Sequence, residues 1–273
     1  MHHCYFNGEI KPTSETHVHV TDLGLLRGYG LFDYFRTYNG KPFQWDWYWE
    51  RYTTSANLLG IPNPISESDA KEVVQQLIQL SGLEDCAIRF VLTGGYAADS
   101  ITMTVPNLLI MSEDIHPVAP QEYTNGIQVI TYNFVRDIPT IKSIDYKHLM
   151  ILQPKIKAAH SSDVLFHQDG LVSELSRSNI FIVKNGVLIT PNTDILYGIT
   201  RRTVLSLAEG LLPIEERAVQ LEEVLQADEV FTTSTTKRVL PITKIDDTVI
   251  GTGKMGPISE MLLDRINDLI EKW

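Results

Sequence analysis

Gly198-Ile199-Thr200 opens a helical pattern that carries Val204, Leu207, Ala208 and Leu211, and Thr232-Thr233-Ser234-Thr235-Thr236 closes the strand-like run Glu229-Val230-Phe231. The reading of the chain turns on these two stretches. A helix start offers backbone N–H groups without intrahelical acceptors and the positive end of the helix dipole, so it can hold a phosphate. Thr200 adds a hydroxyl, and the hydroxyl run at 232–236 could donate to the same anion. Each stretch alone has a plainer reading, an N-cap in the first case and a threonine-rich edge strand in the second. A third feature is Ile141-Lys142-Ser143-Ile144-Asp145-Tyr146, followed later by Ser173-Glu174-Leu175-Ser176-Arg177-Ser178-Asn179-Ile180-Phe181. A lysine and a glutamate bordering apolar segments are ordinarily surface charges. The order and spacing of the three features change that expectation.

Working outward, the first third reads mainly as strands. Asn7-Gly8 is a two-residue hairpin signal between Tyr5-Phe6 and Glu9-Ile10-Lys11. Thr16 to Val20 alternates at period two and predicts a strand, as does Phe32 to Tyr38. Trp47 to Leu59 changes to helical spacing, with Tyr48, Tyr52, Ala56 and Leu59 on one side. Ser66 and Asp69 predict the cap of a second helix carrying Val73, Leu77 and Leu80. Further strands are expected at 87–92, 107–111, 126–133, 165–166, 171–172, 180–184 and 229–233, with Asn185-Gly186 as a second hairpin signal. Helices are expected at 147–160, from Thr200 to Gly210, from Leu221, and at 257–273. The polar, proline-bearing segment around 115–122 is the best linker. It separates a smaller N-terminal α/β domain, 1–114, from a larger C-terminal domain, 123–273. The hairpins argue for mixed or antiparallel sheets rather than an alternating βαβ fold.

The chain has 273 residues, 43% apolar and 21% charged, which is globular composition. Its formal net charge of -11 opposes a nucleic-acid partner. No apolar run approaches the roughly 20 residues needed to span a bilayer, and the start lacks a basic region followed by an apolar stretch, so neither membrane insertion nor a signal peptide is expected. Cys4 and Cys86 match no metal or redox spacing, and a cytoplasmic protein is the simple expectation. His2-His3-Cys4 is read as a strand start rather than a metal site. Gly251-Thr252-Gly253-Lys254-Met255 fails as a phosphate loop because Met255 stands where Ser or Thr must reach magnesium. No G-x-G-x-x-G follows a strand, and neither H-E-x-x-H nor G-x-S-x-G occurs.

Taken together with Arg27-Gly28-Tyr29-Gly30-Leu31-Phe32-Asp33-Tyr34-Phe35-Arg36-Thr37-Tyr38-Asn39-Gly40, Glu50-Arg51-Tyr52-Thr53-Thr54-Ser55-Ala56, Leu196-Tyr197-Gly198-Ile199-Thr200-Arg201 and Ala227-Asp228-Glu229-Val230-Phe231, these motifs make the chain resemble the class IV aminotransferases. These are fold-type IV enzymes that use pyridoxal 5'-phosphate (PLP). The resemblance runs over nearly the whole chain, with Pro241 and Ile245 where the family has its closing strand. It implies a two-domain α/β (α+β) fold with the active site between the domains, and a homodimer. It implies Lys142 as the Schiff-base lysine, which also shuttles a proton. Lys147 and Lys155 lie outside the family's strand-end motif. It implies Glu174 facing the pyridine nitrogen. The phosphate cup falls to Arg51, the backbone of Ile199 and Thr200, and Ser234 with Thr235. Tyr146 is a candidate partner of the cofactor's phenolic oxygen, with a packing role as its alternative.

Lys142-Ser143-Ile144-Asp145 and Thr233-Ser234-Thr235-Thr236 look most like the D-amino-acid branch of the family. The implied reaction moves an amino group between D-amino acids (D-glutamate, D-alanine) and 2-oxo acids (2-oxoglutarate, pyruvate). One departure is plain. That branch has an arginine and a histidine after the strand matching Ile88 to Thr93, where this chain has Gly94-Gly95-Tyr96-Ala97-Ala98-Asp99-Ser100-Ile101. Arg89 and Arg27 are then the candidate substrate-carboxylate ligands, against an ion pair with a carboxylate such as Asp33 for the first and a solvent-exposed loop position for the second. In this fold the Arg27 loop often serves the neighbouring subunit's site. Tyr29, Phe32, Tyr34 and Tyr96 are candidate pocket residues, with core or interface aromatics as the alternative reading, and Thr236 is a further candidate. The rival readings are an L-branched-chain aminotransferase, a 4-amino-4-deoxychorismate lyase and a non-catalytic binding scaffold.

Overall fold

The computed structural model describes residues 2–273. They form two compact units. One holds everything up to Ile115 together with Ile141–Tyr146 and Trp273, and the other holds His116–Thr140 and Lys147–Lys272.

In the first unit, β1 (His3–Phe6) and β2 (Glu9–Pro12) form a hairpin whose turn residues Asn7 and Gly8 take φ of 48° and 106°. That backbone region costs Asn and Gly least, which is why the dipeptide turns the chain there. A single 3-10 turn, Thr13–Glu15, follows. The strand expected at Thr16–Val20 is not formed. Val18 and Val20 are exposed, and His19 Nδ1 bonds the Thr21 hydroxyl and N–H, a local alternative to strand pairing. The chain continues through α1 (Leu23–Arg27), β3 (Gly30–Tyr38), β4 (Lys41–Pro42), α2 (Trp45–Leu59), α3 (Glu67–Ser81), β5 (Ala87–Thr93) and β6 (Asn107–Glu113). The sheet runs β2-β1-β6-β5-β3-β4, with antiparallel neighbours throughout.

Period-two alternation gives β3 two faces. Leu31, Asp33, Phe35 and Thr37 are buried, while Phe32, Tyr34 and Arg36 are half-buried. Helix α2 buries Tyr48, Tyr52 and Ala56 as its spacing predicts. In α3, Ser66 caps the start as expected, and the inward face is Ala70, Val74, Leu77 and Ile78. Leu80 is 46% exposed, so of Val73, Leu77 and Leu80 only Leu77 lies on the buried stripe. Residues 141–146 add to the edge of β3. Phe32 N donates to Lys142 O at 2.9 Å, Ile144 N donates to Gly30 O at 3.2 Å, and Ser143 bridges to Leu31.

In the second unit, α4 (Pro120–Asn125) begins inside the expected linker, with proline in the first turn where its missing N–H costs nothing. Then come β7 (Ile127–Asn133), α5 (Lys147–Ala158), β8 (Asp163–Gln168), β9 (Leu171–Leu175), β10 (Asn179–Lys184), β11 (Val187–Thr190), α6 (Ile199–Ala208), β12 (Ile214–Glu216), β13 (Val219–Gln220), α7 (Leu221–Leu225), β14 (Glu229–Ser234), β15 (Arg238–Ile245), β16 (Thr248–Val249) and α8 (Pro257–Glu271). The sheet runs β12-β11-β10-β14-β15-β7-β8-β9-β13, with β16 paired to β15. It is mixed, because β7 is parallel to both β8 and β15, and β11 is parallel to β12. Ile180, Ile182 and Val230 serve the core on one face. Phe181, Val183 and Phe231 serve the other, where Val204 and Ala208 of α6 and Leu262 and Ile266 of α8 pack. That second core seats α6 on the sheet. Among the described residues no helix is long and apolar enough to cross a membrane.

Candidate active site

In the first unit, Lys142 sits on the short segment that extends β3. Its Nζ lies 4.5 Å from the centroid of the Phe32 ring, and Tyr146 meets the same ring edge-on at 5.6 Å. The edge pairing of 141–146 with β3 therefore gathers Lys142, Phe32 and Tyr146. Tyr146 falls just before α5 rather than on it.

Both flanking arginines are engaged. Arg51, on α2, forms a two-pronged pair with Asp33, Nε to Oδ2 at 2.9 Å and Nη2 to Oδ1 at 2.6 Å, and also stands 5.1 Å from the Tyr48 ring. Burial works against the Arg51 charge, and the Asp33 carboxylate more than offsets it. Arg89 is paired with Glu113, at 2.5 Å and 2.9 Å, and its guanidinium lies over Tyr34 at 4.9 Å and Phe32 at 5.5 Å. The Asp33 partnership considered for Arg89 does not occur, for a reason of parity. Arg89 is in register with Tyr34, and Asp33 points to the opposite, α2-covered face of β3. Burial first, and then the Glu113 carboxylate, push the Tyr34 phenol above its ordinary pKa.

Arg27 ends α1, is exposed, and donates to the carbonyl of its neighbour Leu26. The Tyr29 hydroxyl donates to Leu59 O at 2.5 Å, and Tyr96 OH accepts from His19 N. Lys155 lies over the Tyr132 ring at 5.4 Å.

The second unit holds the remaining residues. Glu174, on β9, is 5% exposed. Its Oε1 accepts from Arg136 Nη1 at 3.3 Å, and its Oε2 accepts from Leu196 N at 3.0 Å and Asn179 Nδ2 at 3.3 Å. Just past Leu196, Gly198 is the N-cap of α6. It supplies no side-chain cap, yet Ile199 and Thr200 are buried. The glycine at the cap thus offers these buried N–H groups no side-chain acceptor of its own. The first turn carries Arg201, held by Pro191 O, Thr190 Oγ1 and Glu216 Oε2.

Ser234 closes β14, which pairs with β10 so that Thr233 faces Asn179. Thr235 and Thr236 form the turn after it, and Thr236 Oγ1 is 3.4 Å from Ser234 Oγ. The neighbouring Thr233 Oγ1 is a buried hydroxyl with no hydrogen-bond partner. Below this turn Lys237 Nζ reaches Asp163 Oδ2 at 2.8 Å, and Ser176 Oγ reaches Asp163 Oδ1 at 2.5 Å.

The class IV amino-transferase family model matches residues 30–245. The chain belongs to this family. A D-alanine aminotransferase of Bacillus licheniformis is 34% identical to it over 93% of this chain and 92% of that protein. A protein of Methanocaldococcus jannaschii provisionally named a branched-chain-amino-acid aminotransferase is 32% identical over 98% and 96%. Among solved structures, the branched-chain amino acid aminotransferase of Escherichia coli superposes with a TM-score of 0.92 over 98% of this chain and 94% of that one, at 23% identity. Membership implies the fold-type IV architecture, PLP-dependent amino transfer, and amino acids and oxo acids as substrates.

The side chains suit a class IV aminotransferase cofactor. The buried start of α6, the unpartnered Thr233 hydroxyl and the Ser234–Thr236 turn offer N–H and O–H groups of the kind that hydrogen-bond to an anion. Glu174 is a buried acceptor of the kind a ring N–H requires. Four residues of this arrangement carry no local signal in the sequence. Asn179 lies within a quoted stretch but an interior asparagine carries no spacing signal. Arg136 and the Lys237–Asp163 pair act across 38 and 74 residues, a separation that no local pattern encodes.

Proposed function

We propose that Lys142 forms the covalent bond to PLP. In this reading Glu174, Arg51, Tyr146, the N–H groups of Ile199 and Thr200, and the hydroxyls of Ser234 and Thr235 hold the group. When bound, PLP supplies an aromatic ring that withdraws electrons from the α-carbon of an amino acid. The Lys142 amine would take the proton from the α-carbon of the amino donor and, in the reverse half-reaction, supply one to the α-carbon of the amino acid formed from the oxo acid. Glu174 accepts a ring N–H. The donors of α6 and of the turn after β14 hold the phosphate, and a charge-assisted contact from Arg51 is worth roughly 1.5–3 kcal/mol. The observation that carries the reading is the buried start of α6, which lacks a side-chain cap and is joined through Leu196 to the Glu174 carboxylate. Borohydride reduction of PLP-loaded protein followed by peptide mapping should label Lys142. A label on another side chain would remove the reading.

For the substrate we infer an aliphatic L-amino acid of the branched-chain type. Phe32 and Tyr34 offer an aromatic wall, and the charge of Arg89 beside them is already answered by Glu113. The relative from Methanocaldococcus jannaschii supports it. A second reading takes D-alanine and D-glutamate, with pyruvate and 2-oxoglutarate as the oxo acids and Arg89 and Arg27 as carboxylate ligands. The Bacillus licheniformis relative favours that one. A panel of half-reactions, followed by the absorbance of the bound cofactor, separates them. Conversion by L-valine, L-leucine and L-isoleucine supports the first, and conversion by D-alanine and D-glutamate the second. Pyruvate release from aminodeoxychorismate without amino acceptors would instead mark a lyase.

A homodimer is part of the proposal. Val20, Leu25, Ile101 and Val105 are 68%, 68%, 76% and 70% exposed, in two segments tied by the Asp22–Tyr96 bridge. Exposed apolar side chains grouped in this way favour burial against a second copy. A monomeric mass in sedimentation at micromolar concentration would count against it.

A further inference from the structure

Asn179 opens β10 and is 4% exposed. Its Nδ2 donates to Leu196 O at 2.8 Å and to Glu174 Oε2 at 3.3 Å. Both neighbours of that nitrogen are acceptors, so the orientation of the amide follows from the chemistry. The backbone carbonyl of Asn179 accepts from Thr232 Oγ1 at 2.9 Å, and the residue stands opposite Thr233 in the ladder. Leu196 in turn donates its N–H to the same Glu174 oxygen. One residue therefore joins the Glu174 carboxylate, the chain entering α6, and the hydroxyl-bearing end of β14.

Gly198 supports the same reading. Its φ is -67°, a conformation open to any residue, so the glycine is not there for backbone freedom. A Cβ at 198 would overlap Asn179 Oδ1. The glycine leaves room for the amide.

We propose that Asn179 is a positioning residue for the cofactor, acting through Glu174 and through the approach of α6. This rests on the PLP reading given above. The amide is the side chain that fits, because it donates twice from one nitrogen to two buried acceptors. Alanine leaves the Leu196 carbonyl buried and short of a donor, which is costly. Aspartate keeps the shape but has no donor, and it adds a negative charge beside Glu174.

The test uses Asn179→Ala and Asn179→Asp, each alone and in a Glu174→Gln background. PLP affinity of the apoprotein, the pH midpoint of the bound cofactor's absorbance, and the melting temperature of the apoprotein are measured. The expected result is a loss of PLP affinity of about tenfold or more in each single variant, the size of effect that hydrogen bonds to charged groups have. The absorbance midpoint moves in the single variants and moves no further when Glu174→Gln is already present. Wild-type affinity and midpoint in either folded variant would overturn the proposal, as would a shift equally large in the Glu174→Gln background. If Asn179→Ala does not fold, the isosteric Asn179→Asp decides by the same measures. A wild-type protein that takes up no PLP would remove the functional reading as well, so the two failures are told apart.

Discussion

Helices α3 and α6 begin in opposite ways. At α3, Ser66 accepts from Asp69 N at 3.2 Å, and Glu67 and Asp69 stand in the first turn, so the helix supplies its own answer to its free N–H groups and dipole. At α6 the cap is a glycine, no side chain caps the start, no acid stands in the first turn, and the start is buried nonetheless. The same contrast recurs in α8, whose Ile258 and Ser259 N–H groups are met by Glu229 from β14. A polar group answered within the protein contributes to stability. One left open in a buried place is disposed toward a ligand. Substitutions at the first kind should therefore move folding, and those at the second kind should move cofactor affinity.

The largest effect is expected at an answered group. Lys237→Met leaves Asp163 buried without its cation and should cost about 3–5 kcal/mol of folding stability, read from denaturant unfolding. An unchanged midpoint would break the distinction at its strongest point. Next, Thr233→Val acts at an open group, a buried hydroxyl with no hydrogen-bond partner. It should weaken PLP binding by about tenfold, as the loss of a hydrogen bond to a charged group does, while the apoprotein keeps its melting temperature within a few degrees. A variant that loses stability and keeps its PLP affinity would reverse the assignment.

Ser66→Ala at α3 should show the mirror image at smaller scale. It should lose about 1 kcal/mol of stability and leave PLP affinity unchanged in a fluorescence titration. The smallest effect is one of pH. Burial pushes the Asp163 carboxyl up, but the Lys237 charge and the hydrogen bonds from Lys237, Ser176 and the Val164 N–H bring it below its ordinary value. A carboxylate depressed on folding stabilises the protein above its unfolded pKa, near about 4, and that contribution is lost as pH falls below it. Denaturation midpoints should drop below that pH, and Asp163→Asn should flatten the drop.

Much of the architecture is legible in local pattern. The turn dipeptides Asn7-Gly8 and Asn185-Gly186, the helical spacing of Tyr48, Tyr52 and Ala56, the Ser66 cap and the strand at 229–234 each express a preference settled within a few residues, by sterics and period. The family resemblance is likewise a property of residues in order. Thr16–Val20 marks the limit, because alternation states what a strand would look like without supplying a neighbour to pair with.

The tertiary structure decided the partners. The face of a sheet on which Asp33 lies, and hence its pairing with Arg51 rather than Arg89, depends on strand register. The Lys142 segment belongs with β3 because backbone groups far apart in the chain meet there. The joining role of Asn179 arises because β9, β10 and the entry to α6 come together around one amide. Local conformational energies are written residue by residue, whereas these contacts exist only once distant segments have closed on one another, at an entropy cost repaid by the whole core.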